Sequence, residues 1–234
     1  MNVRLNGNQL KLIAVISMLA DHCAVAFVET GSSLYWIMRG MGRIAFPIYA
    51  FLLAEGFFHT RDLKKYARRL LVLAILSEIP FNYLVSGHLT AFRCQNIFWT
   101  LLLGLLMMNL QKLAQIHYPG MTGRQIQLLL IVLFCALAWI CKVDYDYRGI
   151  MLIGLIFWFY GDLRQQAVFG CLWMVLTQGN LHLSLTIGYG IAFLLICCYN
   201  GMRGKWNGKA FFYAFYPVHL TVLGVLKALL QICM

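Results

Sequence analysis

No polar stretch of 20 residues interrupts this chain, and apolar segments follow one another from end to end. Cut at its clusters of charge, Gly, Asn and Pro, the sequence falls into nine pieces near 10–30, 36–58, 69–86, 96–113, 126–141, 149–160, 166–178, 183–199 and 210–232. Crossing a hydrocarbon core of about 30 Å takes about 20 residues of helix, with a lower limit of about 17, and six of the nine pieces reach that limit. The sixth and seventh are shorter than about 17 residues and are expected to be tilted, embedded between neighbours, or joined as a broken pair. With 62% hydrophobic and 12% charged residues and a mean hydropathy of +0.74, the chain cannot cover its apolar side chains with a polar shell. Disordered, collagen-like and coiled-coil classes are excluded by the same composition. The expected fold is an all-α polytopic integral membrane protein. Residues 1–234 form one domain of about nine transmembrane or membrane-embedded helices around a polar central cavity.

The net charge of +11 would suggest nucleic acid in a soluble protein. Here it reads as basic loops on one side of a membrane together with an anionic partner. Counted on alternate sides of nine spans, Arg4, Lys11, Arg61, Lys64, Lys65, Arg68, Arg69, Lys112, Arg124, Arg164, Arg203, Lys205 and Lys209 fall on one side. Arg93, Lys142, Arg148 and Lys227 fall on the other. Thirteen against four places the N-terminus in the cytoplasm of a plasma-membrane protein and the C-terminus outside. The N-terminal segment imitates a signal peptide, but Asp21 and His22 adjoin its apolar run, so it is expected to stay uncleaved. The sequence shows no internal repeat of the kind common in transporters. The eight cysteines include no Cys-x-x-Cys pair and lie mostly in apolar runs, so neither a metal site nor a disulfide framework is expected.

Ionisable groups at membrane depth cost about 2.5 to 3.5 kcal/mol on insertion scales and by default mark function. Asp21 and His22 lie in the first span, Arg39, Arg43 and Glu55 in the second, Glu78 in the third and His219 in the last. On a helix His22 is turned about 100° from Asp21. Asp21 is therefore expected to pair with Arg39 or Arg43 across a helix interface, leaving His22 to face a cavity. Gly40 and Gly42 admit a close neighbour. Pro47 cannot donate to the carbonyl of Arg43, so a kink is expected there. Glu55 and His59 are i,i+4 neighbours, with Glu55 about 18 Å along the axis from Arg43. Snorkelling of Arg39 and an interfacial Glu55–His59 pair are the simpler readings of those residues.

The loop from Arg61 to Arg69 carries Arg61, Lys64, Lys65, Arg68 and Arg69. A run of this kind signals topology or meets lipid headgroups, and it would equally receive a polyanionic cofactor from the cytoplasm. Residues 201–209 form a second basic segment with Arg203 and Lys205, but without Walker spacing. In the last span Pro217 frees the carbonyl of Tyr213, and Tyr216 and His219, at i,i+3, share a face. Asp144 to Gly149, DYDYRG, stands at the outer boundary as a possible acceptor reader or a water-facing turn.

The patches LKLIAVISMLADH (10–22), GRIAFPIYAFLLAEGFFHTR (42–61), YARRLLVLAILSEIPFN (66–82), TLLLGLL (100–106), DYRG (146–149) and FYPVHL (215–220) resemble the TraX family, in order over nearly the whole chain. That resemblance implies a polytopic membrane acetyltransferase of the kind named for N-terminal acetylation of conjugative pilin. More distantly, it implies likeness to membrane acyltransferases that use a first-helix His. It implies His22 as the catalytic candidate, with Arg43, Glu55 and His59 as motif members. Ala24 stands where the family commonly has Gly.

The expected activity is transfer of an acetyl or short acyl group from acetyl-CoA to an amine or hydroxyl acceptor, without metal. His22 would act as general base, with Arg43 or a backbone donor near Pro47 polarising the thioester. His219 with Tyr216 is the alternative base on the opposite wall. Arg39, Glu55, His59, Arg61, Lys64, Lys65, Arg68, Arg69, Arg203, Lys205 and Lys209 are the candidates for holding the cofactor. The acceptor is a peptide, such as a pilin N-terminus, or a cell-envelope glycan, and the oligomeric state, a homodimer included, stays open. Beside these stand a proton-coupled transporter using Asp21, His22, Glu55, Glu78 and His219 as a relay, and a lipid-binding scaffold.

Overall fold

The computed structural model describes residues 4–89, 94–178, 182–206 and 208–233. Arg93 and Asn207 lie outside the described residues, as do the side chains of Lys209 and Cys233. The described residues form ten helices: α1 (Gly7–Phe27), α2 (Ser33–Gly42), α3 (Ala45–His59), α4 (Leu63–Ser86), α5 (Ile97–His117), α6 (Met121–Ile140), α7 (Asp146–Trp158), α8 (Leu163–Gln178), α9 (Leu183–Cys197) and α10 (Lys209–Cys233). They correspond to the nine expected segments, with the second divided into α2 and α3. Six helical stretches, Ser33–His59 among them, are long and apolar enough to cross a membrane, and the chain is a multi-pass membrane protein.

Local chemistry sets the helix ends. The Asn6 side chain accepts from the N–H groups of Asn8 and Gln9, and Gln9 Oε1 accepts from the Asn6 N–H at 2.9 Å, a closed capping box. Ser32, Asp62 and Asn96 cap α2, α4 and α5 in the same way. The Lys65 N–H donated to Asp62, with the Lys65 ammonium 3.2 Å away, holds the Asp62 carboxyl below its usual range. The break between α2 and α3 falls at Arg43 and Ile44, where Pro47 removes the N–H that the Arg43 carbonyl would need.

Burial orders the bundle. Helix α3 is innermost, with Phe46, Ile48, Ala50, Phe51, Leu53 and Ala54 all buried. Helix α7 has 13 residues, about 20 Å of helix, and buries Ile150, Leu152, Ile153 and Ile156. A helix that short is tolerated at membrane depth because protein surrounds it. Helices α4, α6 and α10 turn Ile75, Leu76, Leu129, Val132, Val222 and Leu229 outward, an apolar surface suited to lipid.

Short loop contacts mark the two ends of the bundle. On the face that carries the N-terminus, carbonyls of the loop after α9 accept from the first turn of α1: Gly7 N–H to Met202 at 2.8 Å and Asn8 N–H to Arg203 at 3.0 Å. On the opposite face Gln95 pairs with the turn before α7.

Helices α2 and α9 meet backbone to backbone. A Cβ on Gly188 would run into the Gly40 carbonyl, and one on Gly42 would run into the Asp21 side chain. Between α5 and α6, Gln111 and Gln127 each donate to the other's backbone carbonyl at 3.3 Å. Glu78 Oε2 accepts from Asn96 Nδ2 at 2.5 Å and Trp99 Nε1 at 3.1 Å. That carboxylate thus anchors the positive N-terminal end of α5, a structural use of a group the transporter reading placed in a relay.

Candidate functional site

Helices α1 and α10 bring together two histidines that lie 197 positions apart. His22 Nδ1 is 2.7 Å from His219 Nε2, and their rings stack with centroids 4.9 Å apart. His219 Nδ1 in turn lies 2.7 Å from the carbonyl of Phe215. The Tyr216 ring meets both imidazoles edge to face, at 5.9 Å from His22 and 5.5 Å from His219. All three side chains are buried. The sequence reading set His22 and His219 on opposite walls as alternatives; the structure makes them one hydrogen-bonded pair.

About 100° round α1 from His22, Asp21 takes the partners the sequence suggested. Its Oδ2 accepts from Arg39 at 2.6 Å, and its Oδ1 lies 3.6 Å from Arg43. Arg43 also donates to the Tyr145 hydroxyl at 3.0 Å. Tyr145 belongs to the DYDYRG turn, which is folded into the protein rather than facing water: its ring stacks on Phe46 at 3.9 Å, and Thr100 donates to the Asp144 carbonyl. Tyr145 and Asp146 both have positive φ, 61° and 52°, in a backbone region costly for residues other than glycine. The sequence carried no sign that Tyr145 partners Arg43, since nothing local links residues 102 positions apart.

A cavity of about 460 Å³ is lined near the N-terminal face by Lys11, His59, Arg69 and Arg203, and at depth by Met18, Tyr49, Ile97, Phe98, Leu101 and Tyr216. Along α1 it extends from Gly7 to Met18, about 16 Å at the helical rise. Lys11 Nζ lies over the Phe212 ring, and the Arg69 guanidinium over Tyr66 and Tyr213. Tyr216 joins this cavity to the histidine pair.

Glu55, His59, Arg69, Arg203 and Tyr216 therefore line one cavity, whereas Arg61, Lys64, Lys65, Arg68 and Lys205 do not. Arg39 is engaged with Asp21 rather than the cavity. His59 Nδ1 lies 2.8 Å from the Glu55 backbone carbonyl, so the expected side-chain pair is replaced by a helix-end contact. The Glu55 carboxylate lies instead near the Tyr160 and Tyr199 side chains. Lys11 and the floor residues Met18 and Phe98, which sequence reasoning left out of the site, belong to it; the spacing of Gly7, Lys11 and Met18 along one face of α1 was a signal for the first two, and Phe98, on α5, carried none. Among the described residues no three His, Cys, Asp or Glu side chains converge to hold a metal ion.

Comparison with known proteins bears on this site. The family described as TraX protein matches residues 6–227. A relative from Dichelobacter nodosus, the probable fimbrial assembly protein FimC of serogroup H1, is 30% identical over 251 residues, covering 98% of this chain and 99% of its own length. No solved structure matches.

Proposed function

The chain belongs to the TraX family, and from that premise we propose that it is a membrane-embedded acetyltransferase, moving an acetyl or short acyl group from acetyl-CoA to an amine or hydroxyl acceptor. The observation that carries this reading is the cavity: a cationic mouth formed by Lys11, Arg69 and Arg203 and a deep apolar floor ending at Tyr216, beside the only two histidines buried among the described residues. Phosphates suit Arg and Lys at the mouth. A slender arm bearing a thioester suits the narrow interior, and a short acyl group suits a floor closed by Met18, Ile97 and Phe98. The mouth shares its face with the N-terminus, the side bearing thirteen of the counted Lys and Arg residues, and in this reading that face is cytoplasmic and the membrane is the bacterial plasma membrane.

His22 is the general base. As the acceptor's lone pair attacks the thioester carbonyl, His22 takes the acceptor's proton. Collapse of the tetrahedral intermediate breaks the C–S bond, and the proton passes to the sulfur, so that CoA leaves as a thiol. The negative charge that grows on the carbonyl oxygen is stabilised by Arg43, held in place by Tyr145 and Asp21. The fimbrial-assembly name of the Dichelobacter relative favours a pilin peptide N-terminus over a cell-envelope glycan as acceptor.

Equilibrium binding of CoA to the purified chain, followed by transfer of labelled acetyl to an amine-bearing peptide, tests this. Binding should weaken with salt, and Arg69→Gln and Arg203→Gln should each weaken it roughly tenfold. His22→Ala should abolish transfer with CoA binding retained. A chain that binds no CoA, or that moves protons in vesicles without it, is not an acetyltransferase.

A further inference from the structure

The Glu78 cluster is spent on the α5 N-terminus, and the close contact between Ser184 and His182 belongs to the cap of α9. The chain of contacts from Phe215 through His219 to His22 leads further. The Phe215 carbonyl can only accept, so His219 Nδ1, 2.7 Å away, carries a hydrogen. Two nitrogens 2.7 Å apart share a single proton, so one of His22 Nδ1 and His219 Nε2 donates and the other accepts. Placing that proton on His219 would protonate both of its nitrogens and make it a cation buried inside the bundle, a costly form at membrane depth. The proton therefore sits on His22 Nδ1, and His22 Nε2 carries the free lone pair.

We propose that His219 is a positioning residue that fixes the tautomer of His22, so that Nε2 and not Nδ1 is the basic atom. This rests on the reading of His22 as the base only for its consequence in catalysis; the tautomer itself follows from the two contacts. Pro217 contributes by its place two residues before His219, in the turn of α10 that presents the imidazole to α1. When His22 accepts the acceptor's proton at Nε2, its Nδ1–H remains donated to His219. The imidazolium is then held by a hydrogen bond for as long as it lasts, and proton delivery to the thiolate regenerates the starting tautomer.

The test is nitrogen NMR of the full chain labelled with ¹⁵N-histidine in nanodiscs, with the His22 signals identified by their loss in His22→Gln. Wild-type His22 should show a protonated Nδ1 and a bare Nε2. His219→Leu should give a mixture of tautomers and lower kcat on the order of 100-fold with little change in KM. His219→Gln, whose carbonyl oxygen can replace the lost acceptor, should restore the single tautomer and most of the rate. A wild-type His22 protonated at Nε2, or a spectrum unmoved in His219→Leu, would overturn the proposal, and the wild-type spectrum decides even if His219→Leu does not fold. Because the spectrum needs no acyl donor, it judges His219 separately from the acetyltransferase reading, which stands or falls on CoA binding.

Discussion

Asp21 is shared between two guanidiniums, its Oδ2 accepting from Arg39 at 2.6 Å while its Oδ1 lies 3.6 Å from Arg43. With side chains between 13% and 23% exposed, this triad is enclosed enough that removing the anion strands two cations beside each other. Asp21→Asn should therefore destabilise the protein on the order of 3 kcal/mol, read as a lower unfolding temperature in detergent. Adding Arg39→Gln should recover part of the loss, and a single variant that unfolds at the wild-type temperature would show that the pairing contributes nothing.

Tyr145 tethers Arg43 through one hydroxyl at 3.0 Å. Tyr145→Phe keeps the stack on Phe46 and removes only that acceptor, so it should cost about 1.5 to 3 kcal/mol of local order at Arg43. If Arg43 stabilises the oxyanion, acetyl transfer should fall at least tenfold while CoA affinity, set at the distant mouth, is unchanged. Equal losses in both would place Arg43 in cofactor binding instead.

Gly188 allows α9 to touch α2 at the Gly40 carbonyl. Gly188→Ala should force the helices apart and cost about 1 to 3 kcal/mol by thermal unfolding. Gly190, two residues on and with open space around its Cα, supplies the control, since Gly190→Ala should leave the unfolding temperature unchanged or raised.

Asp62 caps α4 as a carboxylate held below its usual range by the Lys65 N–H. A group whose folded pKa is depressed stabilises the folded state above its unfolded pKa, and that contribution disappears as pH falls through the folded value. The protection of the first-turn amides of α4 against hydrogen exchange, relative to their intrinsic rate at each pH, should accordingly fall in acid, below the usual carboxylate range. In Asp62→Ala that protection should be low already at neutral pH, with no further change attributable to this cap on acidification.

Much of this architecture was legible in the chain because its causes are local. Segment hydropathy depends only on residues within one helix, so nine apolar pieces predicted the helices, and a missing N–H at Pro47 located the α2–α3 break at Arg43 and Ile44. The need to neutralise a buried carboxylate predicted Asp21 with Arg39 or Arg43. Packing decided the rest. His22 meets His219, Arg43 meets Tyr145, and Glu78 is absorbed by the start of α5, each across distances in sequence that no period or spacing encodes. Of the five cations between Arg61 and Arg69 only Arg69 lines the cavity. Charge in a sequence reports which side of the membrane a loop occupies, but the direction of each side chain is set by how α4 rotates against α10 and α1. That rotation is fixed by the complementary shapes of many side chains at once, and it exists only in the folded bundle.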